Sequence, residues 1–132
     1  MRLLGLVWGG ADPAAVATAA DAVGKRQRGD GGWSQLTTLA SDAYATGQSL
    51  YALAMAGMPA NAAAYRNGVN YLLRTQAPDG TWHVAARSKP VQPYFESGFP
   101  YGRDQWISAA GTSWAAMALS MAVEKPTYAA NR

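Results

Sequence analysis

One stretch of the chain occurs twice. Gly68 to Trp82 reads GVNYLLRTQAPDGTW, and Val23 to Trp33 reads VGKRQRGDGGW. In both, a Gln stands at the same distance before a Trp (Gln27 and Trp33, Gln76 and Trp82), with Asp-Gly between them. The downstream segments also match: YATGQSLYAL, Tyr44 to Leu53, aligns with AGTSWAAMAL, Ala110 to Leu119. A repeat constrains architecture more than local propensity does, because each unit buries its apolar face only against a neighbour. Each unit here reads as helix, turn, helix. Val69, Leu72 and Leu73 fall at helical spacing, and Pro-Asp-Gly interrupts the chain before Trp82. The expected fold is all-α, built from tandem α-α hairpins at about residues 13–57 and 62–123.

The rest of the chain fits around these hairpins. Leu3 to Trp8 reads as a short apolar helix stopped by Gly9-Gly10, the second half of an inner helix; Asp12 and Pro13 come too early for a convincing signal peptide. Asp12 is expected to cap a helix from Pro13 to about Arg26, with Val16, Ala19, Ala20 and Val23 on one face. Ser41 is the expected cap of a helix from Asp42 to Ala56, ended by Gly57 and Pro59. Asn61 is the expected cap of a helix reaching Thr75, with Tyr65, Val69, Leu72 and Leu73 inward. Residues 77–103 form a long irregular segment rich in Pro and aromatic residues, and such loops are usually functional or docking surfaces. Asp104 is the expected cap of a last helix from Gln105 to Val123, and 125–132 read as a frayed tail.

Composition narrows the function classes. The 132 residues make one domain, 49% hydrophobic but only 14% charged, with five Trp and seven Tyr. That is more apolar surface than a small monomer normally carries, so further helical repeats or self-association are expected. The net charge of +3 is mild and scattered, which argues against a nucleic-acid partner. Lys25, Arg26 and Arg28 are expected to face the negative end of a helix dipole. There is no Cys, which removes disulfides, thiolate catalysis and Cys-ligated metals. No apolar run reaches the ~20 residues of a membrane span. No cofactor or metal motif is present, and the compartment is open.

On the residues QRGDGGW and QAPDGTW, together with the helix TSWAAMAL that follows the second, the chain resembles the repeats of the squalene-hopene cyclase and prenyltransferase superfamily, over about 13–123. The resemblance implies an α/α toroid, here partial and like the C-terminal portion of a longer repeat protein. Pro13–Arg26 and Ala62–Thr75 would be outer helices, and Asp42–Ala56 and Gln105–Val123 inner ones. In it, Gln27 and Gln76 would tie an outer helix to the next, with Trp33 and Trp82 packed against them. An isoprenoid or other apolar ligand is the implied binding partner. The chain departs from the catalytic members: it has no Asp-x-Asp-Asp acid motif, and its single His and absent Cys do not make a zinc site.

Three functional readings follow: a non-catalytic scaffold or apolar-ligand module, a fragment of an isoprenoid cyclase, and a carbohydrate-binding or processing α/α barrel. Tyr94, Phe95, Phe99, Tyr101 and Trp106 either line an aromatic pocket or clamp the loop onto the helices. Tyr44, at the start of an inner helix, would face a toroid cavity. Asp42, Glu96 and Asp104 are the candidate acids, with helix-start charge or capping as the alternative for Asp42 and Asp104. His83 is the one candidate base, with a loop-bonding role as its alternative. Asp30 and Asp79 read as turn formers, and Thr46 and Thr112 as helix-packing contacts.

Overall fold

The structure is a computed structural model that describes residues 1–123. It is all-α: α1 (Arg2–Trp8), α2 (Pro13–Gly24), α3 (Ala43–Met55), α4 (Ala63–Thr75) and α5 (Gln105–Ala122), with a 3-10 turn at Gly102–Asp104 and no strand among the described residues. The tail expected at 125–132 lies outside the described residues.

Helix ends differ from the expectations where side chains have other partners. Asp42, not Ser41, caps α3: its Oδ1 accepts the Ala45 amide at 2.7 Å, while the Ser41 hydroxyl donates to Asp30. Asp12 and Asp104 stand at cap positions without making a side-chain cap bond, and α4 starts after Ala62 rather than Asn61. Helix α2 stops at Gly24, so the basic residues after it do not sit in its last turn. Arg26 and Arg28 instead donate to the carbonyls of Gln35 and Thr37, holding the connector against the end of α2.

The core is centred on α3. Leu50, Ala52 and Leu53 are fully buried, and Leu3 and Leu4 of α1, Tyr65 and Leu72 of α4, and Ala115 and Ala118 of α5 join them. Helices α3 and α5 approach closely because glycine permits it. A Cβ on Gly47 would lie 2.5 Å from the carbonyl carbon of Trp114. Accordingly α5 buries a small-residue stripe of Ser108, Gly111, Ala115 and Ala118, while Trp106, Met117 and Met121 stay exposed. Helix α4 turns Tyr65, Gly68, Tyr71 and Leu72 inward, and the Tyr65 hydroxyl donates to the Ala118 carbonyl at 3.0 Å. Leu73, expected inward, is 55% exposed. Its neighbour Leu72 takes the buried position, because the inward stripe follows Tyr65, Gly68, Tyr71 and Leu72 around the helix. Helix α2 buries no residue fully; Val16, Ala19, Ala20 and Val23 pack at the margin of the core.

Candidate functional site

Both motifs fold into the same hydrogen-bonded clasp. The indole N–H of Trp33 donates to the Val23 carbonyl and that of Trp82 to the Leu72 carbonyl, each at 2.8 Å. The Trp33 amide donates to Thr46 Oγ1 at 2.9 Å, and the Trp82 amide to Thr112 Oγ1 at 3.0 Å. Gln27 donates to the Gly31 carbonyl and Gln76 to the Gly80 carbonyl, each at 2.9 Å. Asp30 accepts the Gly32 amide and Asp79 the Thr81 amide, closing the turns. Gly31 and Gly80 share a φ of 85°, a conformation that suits glycine. Each clasp thus joins the end of one helix to the first turns of the next through a buried indole. Thr46 and Thr112 are more than packing contacts, because each satisfies a tryptophan main-chain amide that would otherwise lack a partner.

The two clasps differ on their outer side. The Gln27 amide also donates to the Ala64 carbonyl at 2.8 Å, and Arg74 donates to the Asp30 carbonyl, so α4 docks on the first clasp. Contact there is tight: a Cβ on Gly31 would lie 2.6 Å from the Asn67 carbonyl oxygen. At the second clasp a Cβ on Gly80 would meet only its own Gln76 amide, at 3.9 Å. Among the described residues no helix docks on it; only the Tyr101 hydroxyl reaches it, through Thr81.

The aromatic residues of the long loop divide into two groups. Phe95 stacks on Trp106 with ring centroids 6.2 Å apart, and the Trp106 indole N–H donates to the Phe95 carbonyl. These two rings and Tyr94 line a cavity of about 980 Å³, together with Ile107, Arg87 and Lys89. Gln105 holds the group in place. It is fully buried, donates to the Tyr94 hydroxyl and the Phe95 carbonyl, and accepts from the Ser97 amide and hydroxyl. Phe99 and Tyr101 lie apart from this cavity. Tyr101 stacks on His83 at 4.9 Å and its hydroxyl shares a 2.6 Å hydrogen bond with Thr81. Tyr101 also has a φ of 83°, the one described non-glycine residue in the left-handed region, a strain held by those two contacts. Tyr44 faces a different cavity, of about 790 Å³, between α2 and α3. The five loop aromatics therefore form two ring clusters, and Tyr44 lines a separate groove.

The candidate acids and base are all engaged. Asp42 caps α3 with one oxygen and pairs with Arg87 at 2.8 Å through the other, pinning the loop to α3. Glu96 accepts from the Tyr94 hydroxyl and the Gly98 amide, which hold its carboxyl below the usual range; Glu96 in turn pushes the Tyr94 phenol up. Asp104 accepts the Ala86 amide at 2.9 Å and pairs with His83 at 2.7 Å, and these bonds, the amide first, lower its pKa. The His83 ring is hydrogen-bonded to Asp104 and to no hydroxyl among the described residues. Among the described residues no group of three acidic, His or Cys side chains could hold a metal ion, and no helix is long and apolar enough to cross a membrane.

Sequence reasoning missed the His83–Asp104 pair and the Asp42–Arg87 pair, which join residues far apart in the chain. Gln105 was also missed; a Gln at the head of a nearly uncharged helix was the available signal. Comparison with protein-family models, curated proteins and solved structures gave no match.

Proposed function

We propose that the chain is a repeat module of the squalene-hopene cyclase and prenyltransferase type, part of an α/α toroid, that binds an apolar ligand and does not catalyse on its own. The observation that carries this reading is an open groove of about 980 Å³ lined by Tyr94, Phe95, Trp106 and Ile107, the three aromatic rings 55%, 68% and 56% exposed, and held in place by the buried Gln105. Its size and lining suit a small apolar molecule. The repeated clasp supports the toroid-type assignment, since it ties successive helices in both units through the same residue types. The candidate carboxyls support a binding role over acid catalysis. Asp42 and Asp104 are bonded to Arg87 and His83, and the depressed Asp104 and Glu96 are poor proton donors.

The neutral dye N-phenyl-1-naphthylamine tests the reading by fluorescence titration. Saturable binding is expected, weakened about tenfold by Trp106→Ala, which corresponds to about 1.4 kcal/mol. Binding that does not saturate, or that Trp106→Ala leaves unchanged, contradicts it.

A second reading, a scaffold that stacks on further helical repeats, is favoured by the second clasp. Gln76 is poised as Gln27 is, yet no helix docks on it among the described residues. Light scattering with Gln76→Ala tests this. A defined assembly weakened by the substitution supports it, and a monomer unaffected by the substitution opposes self-association.

A further inference from the structure

Three cations line the cavity that also presents the stacked aromatic pair. Arg87 and Lys89 come from the loop, and Arg103 comes from the 3-10 turn before α5. Asp104 is the one acidic residue among those lining it, and both its oxygens are occupied, by the Ala86 amide and by His83. Arg87 spends one guanidinium nitrogen on Asp42. Lys89 and Arg103 make no ion pair among the described residues. Lys89 and Arg103 are exposed at the rim of the cavity, where an anionic group on a ligand gains charge-assisted hydrogen bonds that a neutral hydrocarbon cannot make.

We propose that this cavity selects amphipathic organic anions: an apolar or aromatic body against Tyr94, Phe95 and Trp106, with one carboxylate or sulfonate group held by Lys89 and Arg103. This rests on the reading of the cavity as an apolar-ligand site and adds the charged group. Nucleic acid does not fit the arrangement, because the cations gather in one concavity and do not track an extended backbone.

The test uses two dyes that differ by one sulfonate, 1-anilinonaphthalene-8-sulfonate and N-phenyl-1-naphthylamine, on the full chain. The sulfonated dye is expected to bind about tenfold tighter, the factor for one modest charge-assisted contact. The double variant Lys89→Gln, Arg103→Gln should bring the two dyes to parity while leaving the neutral dye's affinity unchanged. Raised salt should weaken only the sulfonated dye. Laurate should displace either dye at concentrations where dodecanol does not. Equal affinity of the two dyes for the wild type, or a preference that survives the double variant, overturns the anion proposal while the apolar-ligand reading stands. Saturable binding of neither dye overturns both. Circular dichroism of the double variant confirms that it folds, since both substituted residues are exposed.

Discussion

Replacing Gly47 with Ala should destabilise the protein, although Ala is the better helix former. Gly47 lies inside α3 and is buried. In an open helix the change to Ala gains about 1 kcal/mol from propensity. Here the new methyl carbon would sit 2.5 Å from the Trp114 carbonyl carbon, 2.6 Å from the Ala115 nitrogen and 2.8 Å from the Trp114 oxygen. All three are backbone atoms of α5, so no side chain can turn aside. Relief requires α3 and α5 to separate by roughly 1 Å, and a gap of that size forfeits about a quarter to a half of the dispersion energy of each contact it opens. Overpacking of a tight core costs about 1–3 kcal/mol, and a backbone clash belongs at the upper end. After the propensity gain the net loss is about 2 kcal/mol, a fall in Tm of roughly 6–12 °C for a chain of this size. Gly24→Ala is the control: it ends α2 with nothing within 4 Å of its would-be Cβ, so its Tm should hold or rise. Thermal melts followed at 222 nm read both. A Gly47→Ala protein that melts at or above the wild type would refute the close approach of α3 and α5.

Other consequences follow from the clasps and the loop. Thr46→Val keeps the shape but leaves the buried Trp33 amide without its acceptor, and should cost about 1–3 kcal/mol in urea melts, with Thr46→Ser recovering most of it. Gln27→Ala should destabilise more than Gln76→Ala, since only Gln27 also bonds α4 through Ala64; equal losses in parallel melts would argue against the docking of α4 on the first clasp. Asp79, Glu96 and Asp104 have pKa values lowered in the folded state, by hydrogen bonds from Thr81, Tyr94 and Ala86 first, respectively. Their contribution to stability is therefore complete above the unfolded carboxyl pKa, about 4, and fades as pH falls through the lower folded values. Asp104→Asn should flatten the acid limb of a stability–pH curve, and an unchanged limb would show that Asp104 does not contribute to it.

Much of the fold was legible in the sequence because the repeat fixes spacing. Gln-to-Trp distance, an Asp-Gly turn and a matching downstream helix are all properties of contiguous residues, and the all-α class and the helix order follow from them. The faces of the helices were less legible. Apolar spacing points Leu73 inward and gives no sign of Tyr71, yet the inward stripe contains Tyr71 and excludes Leu73. On α5 the large apolar residues Trp106, Met117 and Met121 are exposed, because what packs against α3 must be small. Hydrophobicity marks what prefers burial, whereas a close helix crossing selects for size. The sequence supplies the aromatics, acids and lone His of the candidate site but not their partners. Which rings share a cavity depends on Gln105 bonding back across the loop, and the roles of Asp104 and His83 depend on each other; neither is a property of a local stretch.

The equivalence of the two clasps is open to direct measurement through hydrogen exchange at the tryptophan indole N–H groups, resolved by ¹⁵N NMR. Trp33 and Trp82 are 2% and 3% exposed and donate to main-chain carbonyls, whereas Trp8 is 62% exposed. If both units are closed as described, the Trp33 and Trp82 signals persist together in D₂O long after that of Trp8 has gone. If either exchanges as fast as Trp8, that clasp is open in solution and the chain is not a pair of equivalent units.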